Sequence, residues 1–326
     1  MKVKALLRSV AAASALAAIS AIASEPARAQ AYPSQDIRFV CVFPAGSGAD
    51  VYVRFFAEQV KKVSGKTIIV ENKPGAAGLV GIEYTARAKP DGHTILVHGA
   101  SGVINIPALY KNPPIDVLKD IEVVAPLLTQ PWMILVDAKS PYQNMKQLTE
   151  AMLKKGDKSS YSVAATSGTI MGELYKAATG VKSIEVNYKT AGDSWNDMIA
   201  GRTDWGAHDP VASIAEARKG TMRILAISPA KRSQSLPDIP TMTEQGIPMD
   251  VTLWWAAMVP PGVPAPVKAQ IAAWFAKAVA SPETKTFLAQ FGADPLTETI
   301  EASHERYRKG VDQWKEWVKI GKIQPQ

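Results

Sequence analysis

An α/β fold is what this sequence predicts, and three observations carry the prediction. Short apolar runs alternate with segments of helical spacing, the pattern of parallel sheets covered by helices on both faces. Small-residue turns stand at several strand-to-helix junctions, outside the carboxyl ends of the strands, where such folds bind ligands. The 326 residues also give enough chain for two domains of ordinary size.

The elements follow in order. "DIRFVCVF" reads as a strand and "DVYVRFFAEQVKKVSG" as a helix closed by Gly65. "KTIIVEN" is a second strand, "GLVGIEYTARAKP" a helix stopped by Pro90, and "HTILVHG" a third strand. Beyond them come the strand "PWMILVDA", the helix "NMKQLTEAMLKKG", the strand "SYSVAA" and the helix "IMGELYKAATG". "SIEVNY", "SWNDMIAGR", "TDWGAHD" and "MRILAIS" continue the alternation. The tail, "PAPVKAQIAAWFAKAVAS" and "IEASHERYRKGVDQWKEWVKIG", is helical by period, with Trp274, Phe275, Trp314 and Trp317 as packing residues.

Residues Met1 to Ala31 stand apart. Lys2, Lys4 and Arg8, an alanine-rich apolar core and Ala27-Arg28-Ala29 form the order of a secretory signal peptide, cut after Ala29 or Ala31. The expected compartment is therefore the periplasm. The whole chain carries 37 basic and 30 acidic residues, and removal of the leader leaves 33 against 29, a net charge of +4. That is too mild for a nucleic-acid binder, and no basic run interleaved with aromatics appears. No later stretch is long and apolar enough to span a bilayer. Cys41 is the only cysteine, so no intrachain disulfide forms, and its place in an apolar run makes it a small buried hydrophobe. His93, His98, His208 and His304 lack metal-ligand spacing. Neither a metal nor a cofactor is expected.

The stretch "VFPAGSGADVYVRFFAEQV" holds the chemistry. Gly46-Ser47-Gly48 begins a dinucleotide fingerprint, but its sixth position is Val51; no Gly-Lys-Ser/Thr follows, and no Gly-x-Ser-x-Gly elbow surrounds Ser47 or Ser101. What remains is a glycine turn feeding a helix start, whose free N–H groups and dipole favour an anion. Asp50 competes, since its carboxylate can cap the same donors. A second turn, Thr166-Ser167-Gly168-Thr169, also joins a strand to a helix, and Ala191-Gly192 precede a third. Two such turns on different sheets can enclose one carboxylate without arginine. In "VENKPGAAGLVG", Gly75 to Gly78 read as a turn and helix start, with Glu71 and Asn72 fixing the turn. "KRSQSLPDIPTM" reads as a surface loop stiffened by Pro237 and Pro240.

Five stretches, "YPSQDIRFV", "FPAGSGADVYVR", "VENKPGAAGLVGIEYTARAKPDGHTIL", "NYKTAGDSWNDMIAGRTD" and "LAISPAKRSQSLPDIPTMTEQGIP", carry a resemblance that extends over essentially all the chain after the leader. The sequence resembles the Bug (TctC-type) periplasmic solute-binding receptors of tripartite tricarboxylate transporters. The resemblance implies two Rossmann-like domains of the periplasmic binding protein type II kind, joined by crossing strands, with a small organic carboxylate in the cleft. It places one domain at residues 32–131 plus 253–326 and the other at 132–252. It also implies a monomeric receptor rather than an enzyme, partnered by the transporter's membrane components, whose first two turns clamp one carboxylate largely through main-chain groups. The competing readings are a ligand sensor for a signalling partner and a periplasmic hydrolase or isomerase using His208 with Asp209.

The candidate ligand-binding residues are Phe43, Ala45, Gly46, Ser47, Gly48, Ala49 and Asp50 in the first turn and Ser101 after the third strand. Thr166, Ser167, Gly168 and Thr169 form the second turn; Tyr188, Ala191 and Gly192 the third; His208 and Asp209 complete the set. Where the family commonly has Pro-Gly-Gly-Gly-Thr/Ser-Asp, this chain has Ala45-Gly46-Ser47-Gly48-Ala49-Asp50, and where many members have Phe-Asp-Asn it has Ala207-His208-Asp209. An imidazolium at His208 would attract a second negative group, so a dicarboxylate with an apolar or aromatic middle is favoured over an amino acid. Trp195, Trp254 and Trp255 are candidate walls, with the last two unable to face the cleft together if extended.

Overall fold

The computed structural model of this chain describes residues 32–325; the signal-peptide reading lies outside them. Two sheets organise the body from Asp36 to Gln326.

The first sheet begins with β1 (Ile37–Cys41), buried at four of its five positions, as a central strand should be. Parallel neighbours flank it: β2 (Ile68–Asn72) on one side and β3 (Thr94–Gly99) on the other. Helix α1 (Gly48–Ser64) returns the chain from β1 to β2. It buries Tyr52, Val53, Phe56, Ala57 and Val60, a one-face spacing, and ends at Gly65, whose φ of 67° suits a residue without a side chain. Helix α2 (Leu79–Ala86) follows β2, and the short α3 (Ala100–Ile104) and α4 (Ile106–Leu109) follow β3. The sheet is completed by β4 (Glu122–Pro131), β10 (Thr252–Val259) and β11 (Asp294–Pro295), in the order β11-β4-β10-β3-β1-β2.

The second sheet holds β5 (Met133–Asp137), β6 (Ser160–Val163), β7 (Ile184–Asn187), β8 (Trp205–His208) and β9 (Met222–Ile227), in the order β7-β6-β8-β5-β9. Its helices are α5 (Met145–Lys155), α6 (Thr166–Thr179), α7 (Ala191–Ile199) and α8 (Pro210–Lys219). The tail supplies α9 (Ala265–Val279), α10 (Pro282–Gln290) and α11 (Ile300–Ile320).

The α/β reading holds, but the expected parallel sheets prove to be mixed. β10 runs antiparallel to both β3 and β4, and β5 antiparallel to both β8 and β9. The cause lies in the crossings: β4 ends in one sheet and β5 begins two residues later in the other, while β10 returns the chain to the first. An extended segment that passes straight through cannot reverse by a helix to run parallel. Ser228 ties the two crossings together. Its hydroxyl accepts from Trp132 N at 2.8 Å and donates to Val251 O at 2.5 Å, and its backbone bonds Trp132 O and Val251 N. The helical tail packs as expected, with Phe275 stacked on Phe39 at 5.4 Å and Tyr307, Val311, Trp314 and Val318 buried along one face of α11.

Candidate functional site

At the first turn, Ser47 is the N-cap of α1 and its hydroxyl accepts from Asp50 N at 3.3 Å. Asp50 folds back over the turn. Its carboxylate accepts from Gly46 N at 2.8 Å, Arg54 Nε at 2.7 Å and Asn72 Nδ2 at 2.7 Å. Burial would raise its pKa, but these donors outweigh that and hold the carboxyl below its usual value. Asp50 is thus a buried clasp and does not reach the ligand space. It consumes the Gly46 amide and leaves those of Gly48 and Ala49, in the first helical turn, with no hydrogen-bond partner among the described residues. Asn72 also donates to Phe43 O at 2.9 Å, so it fixes this turn rather than the Gly75–Gly78 turn to which the sequence assigned it.

The second turn opens α6 without a side-chain cap. Ala165 O takes the amides of Gly168 and Thr169, and those of Thr166 and Ser167 donate to nothing among the described residues. Gly168 is needed for packing: a Cβ there would lie 2.6 Å from Ala207 O. At a third helix start, that of α8, Asp209 Oδ1 already accepts from Val211 N at 3.0 Å. Val211 leans on the first turn, since a Cβ on Gly48 would meet its Cγ1 at 3.0 Å.

These three starts border one cavity of about 440 Å³ between the two sheets. Phe43, Ser47, Gly48 and Ala49 line it from the first turn, Ser101 from α3, Ser167 from the second turn and Asp209 from the third. The other candidates stand elsewhere. Ala45 and Gly46 are exposed beside it, and Thr166, Gly168 and Thr169 support α6 without lining the cavity. Tyr188 gives its hydroxyl to Asp197 at 2.7 Å, while Ala191 and Gly192 open a helix capped by Thr190; none of the three reaches the cavity.

His208 is the principal correction. It is 1 % exposed, absent from the cavity wall, and its Nε2 lies 2.8 Å from Ser194 Oγ, which in turn donates to Ser162 Oγ at 2.7 Å. Burial lowers its pKa to about 4, so the ring is neutral at physiological pH. The imidazolium on which the dicarboxylate preference rested is therefore missing. The hydrolase reading loses its dyad as well: His208 ends β8 facing buried serines, whereas Asp209 faces the cavity. Trp195 packs 6.2 Å from His208 and does not line the cavity either.

The wall contains groups that sequence reading missed. Tyr52 OH, His98 Nδ1, Gln130 Oε1 and Trp132 Nε1 all border the cavity, buried and without a hydrogen-bond partner among the described residues. Four such atoms converging on one space mark it as built to receive a polar molecule. Burial, then the Asp209 charge, pushes the Tyr52 phenol above its usual range, and burial lowers His98 to about 4. Around these atoms stands an aromatic cluster centred on Trp255, with Phe43 at 6.2 Å, His98 at 5.9 Å and Tyr52 at 5.3 Å. Trp254 also borders the cavity, but its ring packs on Tyr307 at 6.4 Å, as alternation along a strand requires. Tyr52 lies on the buried face of an amphipathic helix and Trp132 in a crossing segment, so both read as core. A tyrosine one turn beyond an anion-holding loop was the single available signal.

Comparison with known proteins agrees with this architecture. Residues 52–322 match the model of the tripartite tricarboxylate transporter family receptor, TctC. A UPF0065 protein of Bordetella bronchiseptica is 34% identical over 250 residues, covering 76% of this chain and 74% of that protein. Among solved structures, periplasmic binding protein BugD is 30% identical with a TM-score of 0.77, over 90% of this chain and all of its own (100%). An R. palustris protein solved with adipate superposes with a TM-score of 0.80 at 24% identity, over 90% of this chain and 100% of that one, a likeness of fold alone. With two mixed sheets, helices on both and a cavity between, this chain belongs to the tripartite tricarboxylate transporter receptor family.

Proposed function

We propose that this protein is a periplasmic receptor that captures a small organic carboxylate and delivers it to the membrane components of a tripartite transporter. One observation carries the reading: the starts of α1 and α6, from different sheets, border the same cavity, with the Gly48, Ala49, Thr166 and Ser167 amides unpartnered among the described residues. Those N–H groups suit one carboxylate, and the Ser47 and Ser167 hydroxyls add adjustable donors. Residues 32–131 with 253–326, and 132–252, would act as two bodies hinged where Ser228 binds the crossings. A ligand touching both turns stabilises only the closed arrangement.

A thermal-shift screen of small mono-, di- and tricarboxylates tests this, because a ligand specific to the native state raises the melting temperature. Calorimetry with the ligand recovered unchanged, and compaction in small-angle scattering, should accompany a hit. A panel in which no carboxylate binds, or in which a bound one is converted, refutes it.

A further inference from the structure

The cavity has one charged side chain among its described lining residues, and that charge is negative. Asp209 supplies it, and no lysine or arginine borders the space. His98 adds no cation, since its ring is buried and held neutral at physiological pH. The anion-favouring groups of the cavity are the unpartnered amides at the starts of α1 and α6, which suffice for one carboxylate. A second carboxylate would be stripped of water beside aromatic rings and within the reach of Asp209. Desolvation and like-charge repulsion then act in the same direction. Phe43 and Trp255 lie with planes 25° apart and centroids 6.2 Å apart, and Tyr52 meets Trp255 edge-on at 5.3 Å, which gives flat apolar faces for a ring.

We infer that the cavity selects aromatic monocarboxylates and that Asp209 acts as a charge filter against the corresponding dicarboxylates. This rests on the carboxylate-receptor reading above and narrows it. The carboxylate of the ligand occupies the starts of α1 and α6, its ring enters the cluster around Trp255, and substituents meet Tyr52 OH, Trp132 Nε1 and Gln130 Oε1. These three orphaned atoms suit neutral polar groups such as a hydroxyl or an amide: Trp132 Nε1 donates, Gln130 Oε1 accepts and the Tyr52 hydroxyl does either.

The experiment compares benzoate, terephthalate and 4-carbamoylbenzoate by calorimetry on the wild-type protein and on Asp209→Asn. The last two ligands have nearly the same shape and differ by one negative charge, so size cannot mimic the filter. Wild type should bind 4-carbamoylbenzoate at least tenfold tighter than terephthalate, and Asp209→Asn should shrink that ratio at least threefold. Circular dichroism confirms that the variant is folded. Equal affinities for the pair, binding of neither, or a ratio unchanged in a folded Asp209→Asn overturn the inference. Tighter binding of aliphatic diacids such as adipate also overturns it while leaving the receptor reading standing. Failure of every carboxylate overturns both.

Discussion

Replacing Gly168 by alanine isolates the role of the second turn. The added Cβ would stand 2.6 Å from Ala207 O and 3.3 Å from two carbons of Val163. Backbone oxygen in a paired strand cannot swing aside, so the start of α6 must withdraw by roughly 0.7 Å to regain a close C–H···O distance of about 3.3 Å. Overpacking of this kind costs about 1–3 kcal/mol. Alanine also gains up to about 1 kcal/mol over glycine in a helix, so Gly168→Ala alone would understate the clash. Gly192→Ala is the internal control: it too falls in a first helical turn, and its Cβ would meet only Thr190 Oγ1 at an ordinary 3.8 Å. The difference between the two variants should therefore be about 1–3 kcal/mol, or roughly 2–5 °C in melting temperature for a body of this size. Urea and thermal unfolding read the stability, and calorimetry with a ligand from the screen reads the site. Withdrawal of the Ser167 amide should weaken binding more than tenfold in Gly168→Ala, against less than twofold in Gly192→Ala. Equal stabilities and equal affinities for the two variants would refute the argument. Steric exclusion of ligand is not the mechanism here, because the clash points into β8.

Three further outcomes are expected. His208→Ala should destabilise by about 2–4 kcal/mol, since it empties buried volume and removes the ring's hydrogen bond to Ser194, and it should change mono- and dicarboxylate affinities by the same factor in titrations. Acid should weaken the fold through His98 and His208: both are near pKa 4 when folded and near 6.5 when unfolded, so the unfolded chain binds more protons between those values. Stability is then full above about pH 6.5 and falls toward pH 4, by roughly 2 kcal/mol per histidine at pH 5, and denaturant midpoints across that range would show a flat profile if the reasoning fails. Asp50→Asn should cost about 1.5–3 kcal/mol of stability and lower ligand affinity from outside the cavity, because the clasp on Gly46, Arg54 and Asn72 loosens; unchanged binding in calorimetry would count against it.

The alternation of strands and helices, the two small-residue turns and the family were legible in the residues alone. These are local properties: apolar period, glycine position and cap residues act within a few positions of one another. The sequence also placed the burial of Cys41, which is fully buried within β1, and the packing role of Phe275. Less legible were α8 and α10, whose apolar faces are weak, and β4, whose run carries a proline at 126. Direction and company emerged only from the folded chain. His208 and Asp209 are neighbours in sequence, yet one closes a buried serine network and the other borders the cavity, because adjacent residues at a strand's end face opposite ways. Asp50 belongs to Arg54 and Asn72 rather than to a ligand, a choice made by a strand that pairs in parallel beside β1. Tyr52 and His98 come from separate elements, Gln130 and Trp132 from the crossing between β4 and β5, and only the tertiary fold brings their unpartnered atoms into one space.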